Sequence, residues 1–214
     1  MTEVTSLWSY LATSPLIWLT ATIFAYLVAD GVARQLGNPP WANPVLLSVL
    51  LIIPVLWLTQ TDYTTYFEGA QFIHFLLGPA TVALALPLWD NRDTIRTSVA
   101  PIVLALLTGS IVAAGSAIIL ARAFGLPTEV LLSLAPKSTT APVALGISEA
   151  IGGIPALTAV LVIMTGIIGA VTVTPLMNLL RITDWRARGF AVGVAAHGIG
   201  TARAFQVNPV AGAY

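Results

Sequence analysis

Residues 127–150 read PTEVLLSLAPKSTTAPVALGISEA, an apolar run cut at its centre by Pro136, Lys137, Ser138, Thr139, Thr140 and Pro142. A helix that crosses the hydrocarbon core of a bilayer takes about 20 apolar residues, and here two halves of roughly ten flank a polar break. Proline removes an amide donor and crowds the preceding turn. Backbone freed in this way cannot face lipid, so it must face protein or a wet cavity. The residues after the break open a new helix, whose free amides and dipole favour an anion. The segment therefore predicts an interrupted or re-entrant element inside a membrane protein.

The rest of the chain supplies the membrane context. Its 214 residues are 57% hydrophobic and only 8% charged, against about 25% charged in a soluble domain. Nine basic and nine acidic residues balance, which argues against a nucleic-acid partner or an acidic polymer. The absence of cysteine excludes disulfides, thiol nucleophiles and thiolate metal sites. No phosphate loop, metal spacing or Ser–His–Asp order occurs, so no catalytic residue, cofactor or metal is expected and the chain does not read as an enzyme. A hydrolase built on Ser138 and a distant His197 has no support in the spacing. Only Glu3 carries charge before the first apolar stretch, which reads as a retained span and not a cleaved leader.

Four stretches are long enough to span without interruption: Pro15 to Ala33, Asn43 to Gln60, Thr97 to Ala121 and Ile154 to Leu180. Trp8, Trp41, Tyr63, Tyr66, Trp89 and Trp185 fall near span ends, where an aromatic belt sits. Residues 67–89, FEGAQFIHFLLGPATVALALPLW, share the plan of the opening segment, with a break expected at Gly78-Pro79. Pro79 and Pro136 lie 57 residues apart, and a long uncharged span follows each unit. The pattern predicts an all-α transmembrane bundle forming one domain over 1–214, with two or three interrupted helices and an internal repeat. Within it, 15–66 are scaffold spans, 67–123 the first broken-helix unit, 127–180 the second, and 188–214 a glycine-rich segment. Paired interrupted segments of this kind mark the binding site of a transporter. Placing Arg34, Arg92/Arg96 and Arg181/Arg186/Arg188 in the cytoplasm puts the N-terminus outside. The crossings then count correctly if 127–150 is a re-entrant hairpin, which leaves Arg122 near the outer face.

Lys137 is the most informative residue, because ionisable groups at membrane depth are costly and usually line a pathway. Beside a helix N-terminus its charge is unfavourable to the dipole, and a bound anion relieves both penalties. The bland alternative is a lysine that snorkels to the interface. Ser138, Thr139 and Thr140 supply hydroxyl donors to a ligand or simply cap a helix. Gly78, Pro79 and Thr81 have the same small and hydroxyl character in the first unit. His74 either carries a proton or bonds a neighbouring helix. In GFAVGVAAHGIGTARAFQ (189–206), His197, Gly198, Gly200, Thr201 and Arg203 again set polar groups and glycines in an apolar run. Glycines admit a close backbone or ligand, and Arg203 offers a forked donor to a carboxylate; close helix packing is the alternative. Glu149 reads as a solvated loop end, and Gly109, Ala113 and Gly115 serve either a homodimer contact or internal packing.

The runs FLLGPATVALALPL (75–88), LAPKSTTAPVA (134–144) and AAHGIGTARAF (195–205) resemble those of the LrgB/CidB family of bacterial membrane proteins. The same family includes the C-terminal half of the plastidal glycolate/glycerate translocator. The resemblance covers most of the chain from about Leu16 and implies a multi-pass protein of the bacterial inner membrane. It implies one of two roles: a secondary carrier or facilitator of small organic anions of the 2-hydroxy-monocarboxylate type, or an antiholin-like regulator of murein hydrolase activity and autolysis. The second role brings a small holin-like membrane partner of the LrgA/CidA type. The resemblance implies a further hydrophobic segment past HGIGTARAF, so residues 208–214 read as its beginning, and either the chain is truncated or this member is unusual. Combined with the residues above, the carrier role places a carboxylate among Gly78–Thr81, Lys137–Thr140 and His197–Arg203, with His74 or His197 as candidates for proton coupling.

Overall fold

A computed structural model describes residues 15–83 and 85–214, the side chains of Pro15, His74, Leu77 and Thr81 excepted. Trp8 and the two expected site side chains His74 and Thr81 therefore lie outside what is described. The described residues are helical throughout, with turns between, as expected of an all-α membrane bundle. They divide into two compact units, 1–84 and 85–214.

In the first unit, α1 (Pro15–Gln35) packs against α2 (Pro44–Leu58) and α3 (Tyr63–Ala83). One stripe of α1, Trp18, Ala25, Ala29 and Ala33, is buried, and its small side chains let the partners approach closely. Tyr66 sets its ring edge-on to Trp18 at 6.1 Å and its hydroxyl 3.1 Å from Thr22 Oγ1. Asn43 caps α2, its side chain accepting from the Val45 and Leu46 amides. Asp62 does the same for α3, and the Thr65 amide, with the Thr64 hydroxyl, holds its carboxyl below the usual range.

Two expectations fail in this unit. The predicted span 43–60 is a helix of 15 residues, about 22 Å long and short of a roughly 30 Å core. The stretch Tyr63–Asp90 is instead long and apolar enough to cross, together with Leu16–Gln35, Val99–Ala123 and Pro155–Leu179. The break expected at Gly78-Pro79 is also absent, because α3 runs through both residues, which are exposed. Continuing a helix past one proline forfeits one amide bond. Opening it there would strand up to four groups at each new end.

The second unit begins with the short helices α4 (Ala85–Asp90) and α5 (Arg92–Thr97), then the long α6 (Val99–Ala123). Next come α7 (Thr128–Leu134) and α8 (Ala141–Ile151), with the irregular residues 135–140 between them. Here two prolines six residues apart and four polar side chains make continuation costlier than opening. The Ile154 amide donates to Ser133 Oγ at 2.7 Å, so the twenty residues between them leave and return to one place. This segment is a helical hairpin. Thr158, the first buried residue of α9 (Pro155–Leu179), lies 2.7 Å from Ser148 Oγ and 3.1 Å from the Ser133 carbonyl and clamps both arms. All three residues are fully buried. Thr158→Val should lower stability by about 1–3 kcal/mol, the cost of buried partners left unpaired, measurable as thermal unfolding in detergent.

A second hairpin follows in α10 (Trp185–Val207), whose backbone leaves helical geometry at Ala196 (φ −130°, ψ 19°) and His197 (φ 42°, ψ −142°). The arms fold against each other there. A side chain at Gly200 would meet Val192, one at Gly193 would meet Thr201, and one at Gly189 would overlap the Ala211 carbonyl of α11 (Pro209–Ala213). Glycine is therefore required at 189 by approach. Gly189→Ala should separate the mouth of this hairpin and cost about 1–3 kcal/mol through overpacking, again read as a fall in melting temperature. Asp184 caps the first arm by accepting from the Arg186 amide at 2.8 Å. Its carboxyl is lowered to about 2, first by the Arg186 side chain and then by that amide.

The two hairpins reveal the repeat. A 25-residue helix (α6) and a hairpin are followed by a second 25-residue helix (α9) and a second hairpin. The start of α6 lines one cleft with residues 184–190, and the first hairpin closes at residue 154 beside the start of α9. The two long helices begin at Val99 and Pro155, 56 residues apart, close to the 57 residues between Pro79 and Pro136.

Candidate functional site

Helix α9 organises the site. Its buried face is the stripe Thr158, Val162, Gly166 and Ala170, one residue per turn. The first hairpin is clamped at Thr158, near the start of the stripe. From Ser148 back to Ala141 is seven residues along the antiparallel α8, so its tip lies about 10 Å deeper, near the level of Thr165. The second hairpin reaches the same stripe from the other end. His197 Nε2 lies 3.0 Å from the Val162 carbonyl, and any Cβ at Gly166 or Gly169 would collide with Ile199, His197 or Ala196. The tip of the second hairpin thus arrives at the middle of the α9 face, and the first hairpin is held to the start of that face at Thr158.

The first tip is polar and under-committed. Lys137 is half-buried, and its ammonium reaches only Ser138 Oγ, at 3.3 Å. Thr139 Oγ1 donates to the Pro136 carbonyl at 2.9 Å, closing the turn. Thr140 is the N-cap of α8, yet its side chain makes no capping bond, and proline stands at 142. The amides of Ala141 and Val143 consequently start the helix without a side-chain acceptor, beside the Lys137 cation. One positive charge, hydroxyls and a helix N-terminus together suit a small oxyanion.

The second tip carries a committed imidazole. A carbonyl only accepts, so His197 Nε2 must carry the proton in its bond to Val162. Nδ1 is left as the position at which the ring could accept. Thr201 Oγ1 donates to the His197 carbonyl at 3.0 Å and closes the turn. Gly198 has open space where a side chain would stand, and Gly200 packs on the other arm.

The structure therefore groups Lys137, Ser138, Thr139 and Thr140 at one tip and His197, Gly198, Gly200 and Thr201 at the other. Arg203 is not at the tip. It packs nearer the mouth of the second hairpin, by Val173 and Met177 of α9. Gly78 and Pro79 belong to an unbroken helix of the other unit. Gly109 abuts Val194 of the second hairpin and so serves internal packing. Sequence reasoning missed Ser133, Ser148 and Thr158, because isolated hydroxyls in apolar runs give no local signal of a shared partner. Among the described residues no cluster of metal-ligating side chains occurs.

Comparisons with known proteins identify the family of the chain. The model of the LrgB-like family matches residues 22–214. The uncharacterized protein YwbG of Bacillus subtilis is 34% identical over 197 residues, covering 92% of this chain and 87% of that protein. YxaC of the same organism is 35% identical over 92% of this chain and 85% of its own length. The holin-like protein CidB of Staphylococcus aureus is 32% identical over 93% of this chain and 86% of that one. No solved structure matches the chain. A match over nearly the whole length, across both hairpins and the helix between them, makes this chain a multi-pass membrane protein of the LrgB-like family.

Proposed function

We propose that the protein is a secondary carrier or facilitator of small organic anions of the glycolate and glycerate type, acting without bond-making chemistry on its substrate. The observation that supports this is the pair of hairpins docked on α9, one clamped at Thr158 and the other bonded through His197 to the Val162 carbonyl. Such irregular backbone at membrane depth is tolerated only around a wet cavity or binding site. Lys137 neutralises the carboxylate, while Ser138, Thr139, Thr140 and the open amides of α8 donate to it. His197 is the candidate for proton coupling through Nδ1. The face holding Arg92, Arg96, Arg181, Arg186 and Arg188 is cytoplasmic by the positive-inside rule, with Arg122 on the opposite face. The protein then sits in the bacterial inner membrane, with one hairpin entering from each side. Alternating access follows if the two halves of the repeat rock about this fixed site.

The test is uptake of labelled glycolate by proteoliposomes holding the purified protein, with glycerate, lactate and pyruvate as competitors. Saturable uptake supports the reading. Absence of uptake for all four acids removes it.

The name of the staphylococcal relatives, holin-like, favours a second reading, an antiholin-like regulator of murein hydrolase activity that works with a small holin-like membrane partner. This reading requires recovery of such a partner with the protein from mild detergent, and it predicts that the tip residues are dispensable.

A further inference from the structure

Arg203 lies on the returning arm of the second hairpin, only 6% exposed. A guanidinium carries five N–H donors and cannot shed its charge. Of these, Nη1 reaches Gln206 Oε1 at 3.3 Å, and Nε is buried with no acceptor at all. The side chain lines a cleft with Thr174, Met177, Trp185, Arg188 and Val207. Arg188 brings a second cation to that wall. Its Nε donates to the Ile182 carbonyl at 2.6 Å, Nη2 to Asn178 Oδ1 at 2.5 Å, and its guanidinium stacks 4.9 Å from the Trp185 ring centre. All of these partners are neutral. Among the described residues neither arginine forms an ion pair.

Two uncompensated cations on one partly buried, largely apolar wall are costly to maintain, and a forked guanidinium matches a planar two-oxygen anion. The cleft is about 20 Å³, room for little more than one water-sized group, so only the oxygen edge of an anion enters it and the rest of the ligand stays outside. Arg203 is six residues from His197, about 9 Å along the arm towards the arginine-rich face.

We propose that this cleft is a second oxyanion site, separate from the tips, at which the carboxylate of the transported acid is held between the arginine-rich face and the centre. The proposal deepens the carrier reading and rests on it for the identity of the acid. A phospholipid phosphate offers the same chemistry, and the experiment separates the two sources.

The full chain is purified in detergent, and its thermal unfolding is followed with glycolate, with chloride, or with phosphatidylglycerol. Working in a Lys137→Ala background removes the tip site. Glycolate should still raise the melting temperature of that protein, and adding Arg203→Met should abolish the rise. Should the methionine variant fail to fold, Arg203→Lys decides, with at least a roughly tenfold higher half-saturating glycolate concentration expected from loss of the fork. No glycolate response in the Lys137→Ala protein, or one that survives both Arg203 substitutions, overturns the proposal. An Arg203-dependent response to phosphatidylglycerol alone overturns the acid as ligand and assigns the cleft to a lipid phosphate. A response to chloride equal to that to glycolate reduces the site to a general anion trap and overturns its place on the transport path. Failure of the carrier reading shows separately, as absent uptake by the unaltered protein.

Discussion

Lys137→Ala should abolish saturable glycolate uptake in proteoliposomes while leaving the protein folded. Lys137 is the one cation in the polar break of the first hairpin, and its ammonium has only the Ser138 hydroxyl as partner. A carboxylate bound there would be a desolvated, hydrogen-bonded charge pair. Truncating one member of such a pair costs about 2–5 kcal/mol, which is a fall of roughly 30-fold to several-thousand-fold in affinity. The fold should not suffer, because no ion pair or buried network rests on the ammonium. Removing a charge from membrane depth relieves a penalty instead, so the melting temperature should hold or rise. Lys137→Arg keeps the charge but changes its shape and should retain part of the uptake. Unchanged uptake by the alanine variant would place the anion elsewhere.

His197→Val should destabilise the second unit by about 2–4 kcal/mol. His197 holds φ +42° at the turn between the hairpin arms, a region in which a β-branched side chain is a severe outlier. Such strain costs on the order of 1–3 kcal/mol, and the lost bond to the Val162 carbonyl adds about 1 kcal/mol. His197→Gly separates the two effects. Glycine adopts this backbone freely, so the gain at the turn should offset the lost bond and leave thermal stability near that of the parent. Any loss of uptake in the glycine variant then belongs to the imidazole itself. Equal melting temperatures for the valine and glycine variants would refute a strained turn.

The sequence made the membrane bundle and the first hairpin legible because composition and a doubled proline act locally. Pro136 and Pro142 flank four polar residues, and no helix passes that combination inside lipid. Pro79 stands alone among apolar neighbours, and the same reasoning overestimated it. One lost amide bond is cheaper than two new helix ends, and that balance is invisible from the proline itself. The hairpin at His197 left a different trace, glycines at 189, 193 and 200, spaced to let two arms touch. Which residues those glycines face depends on a turn at one left-handed histidine. Arg203 was legible as a forked cation in an apolar run. Its place near the mouth of the hairpin, by Val173 and Met177, was not, because sequence proximity to His197 hides six residues of arm between them.

The shortness of the hairpin arms has a consequence for biosynthesis. Arms of 7 and 11 residues fall far below the length that an insertion machinery reads as a span, so in the second unit α6 and α9 enter the bilayer on their own hydropathy. The first hairpin is synthesised before Thr158, the residue that clamps it, and has no partner until α9 has been threaded. In the orientation proposed above, it waits in the exterior water or at the interface and descends afterwards. The second hairpin then finds α9 already in place and settles from the cytoplasmic side. On that orientation, maturation of one short chain is completed separately in two aqueous compartments, the earlier-made half finishing no sooner than the later.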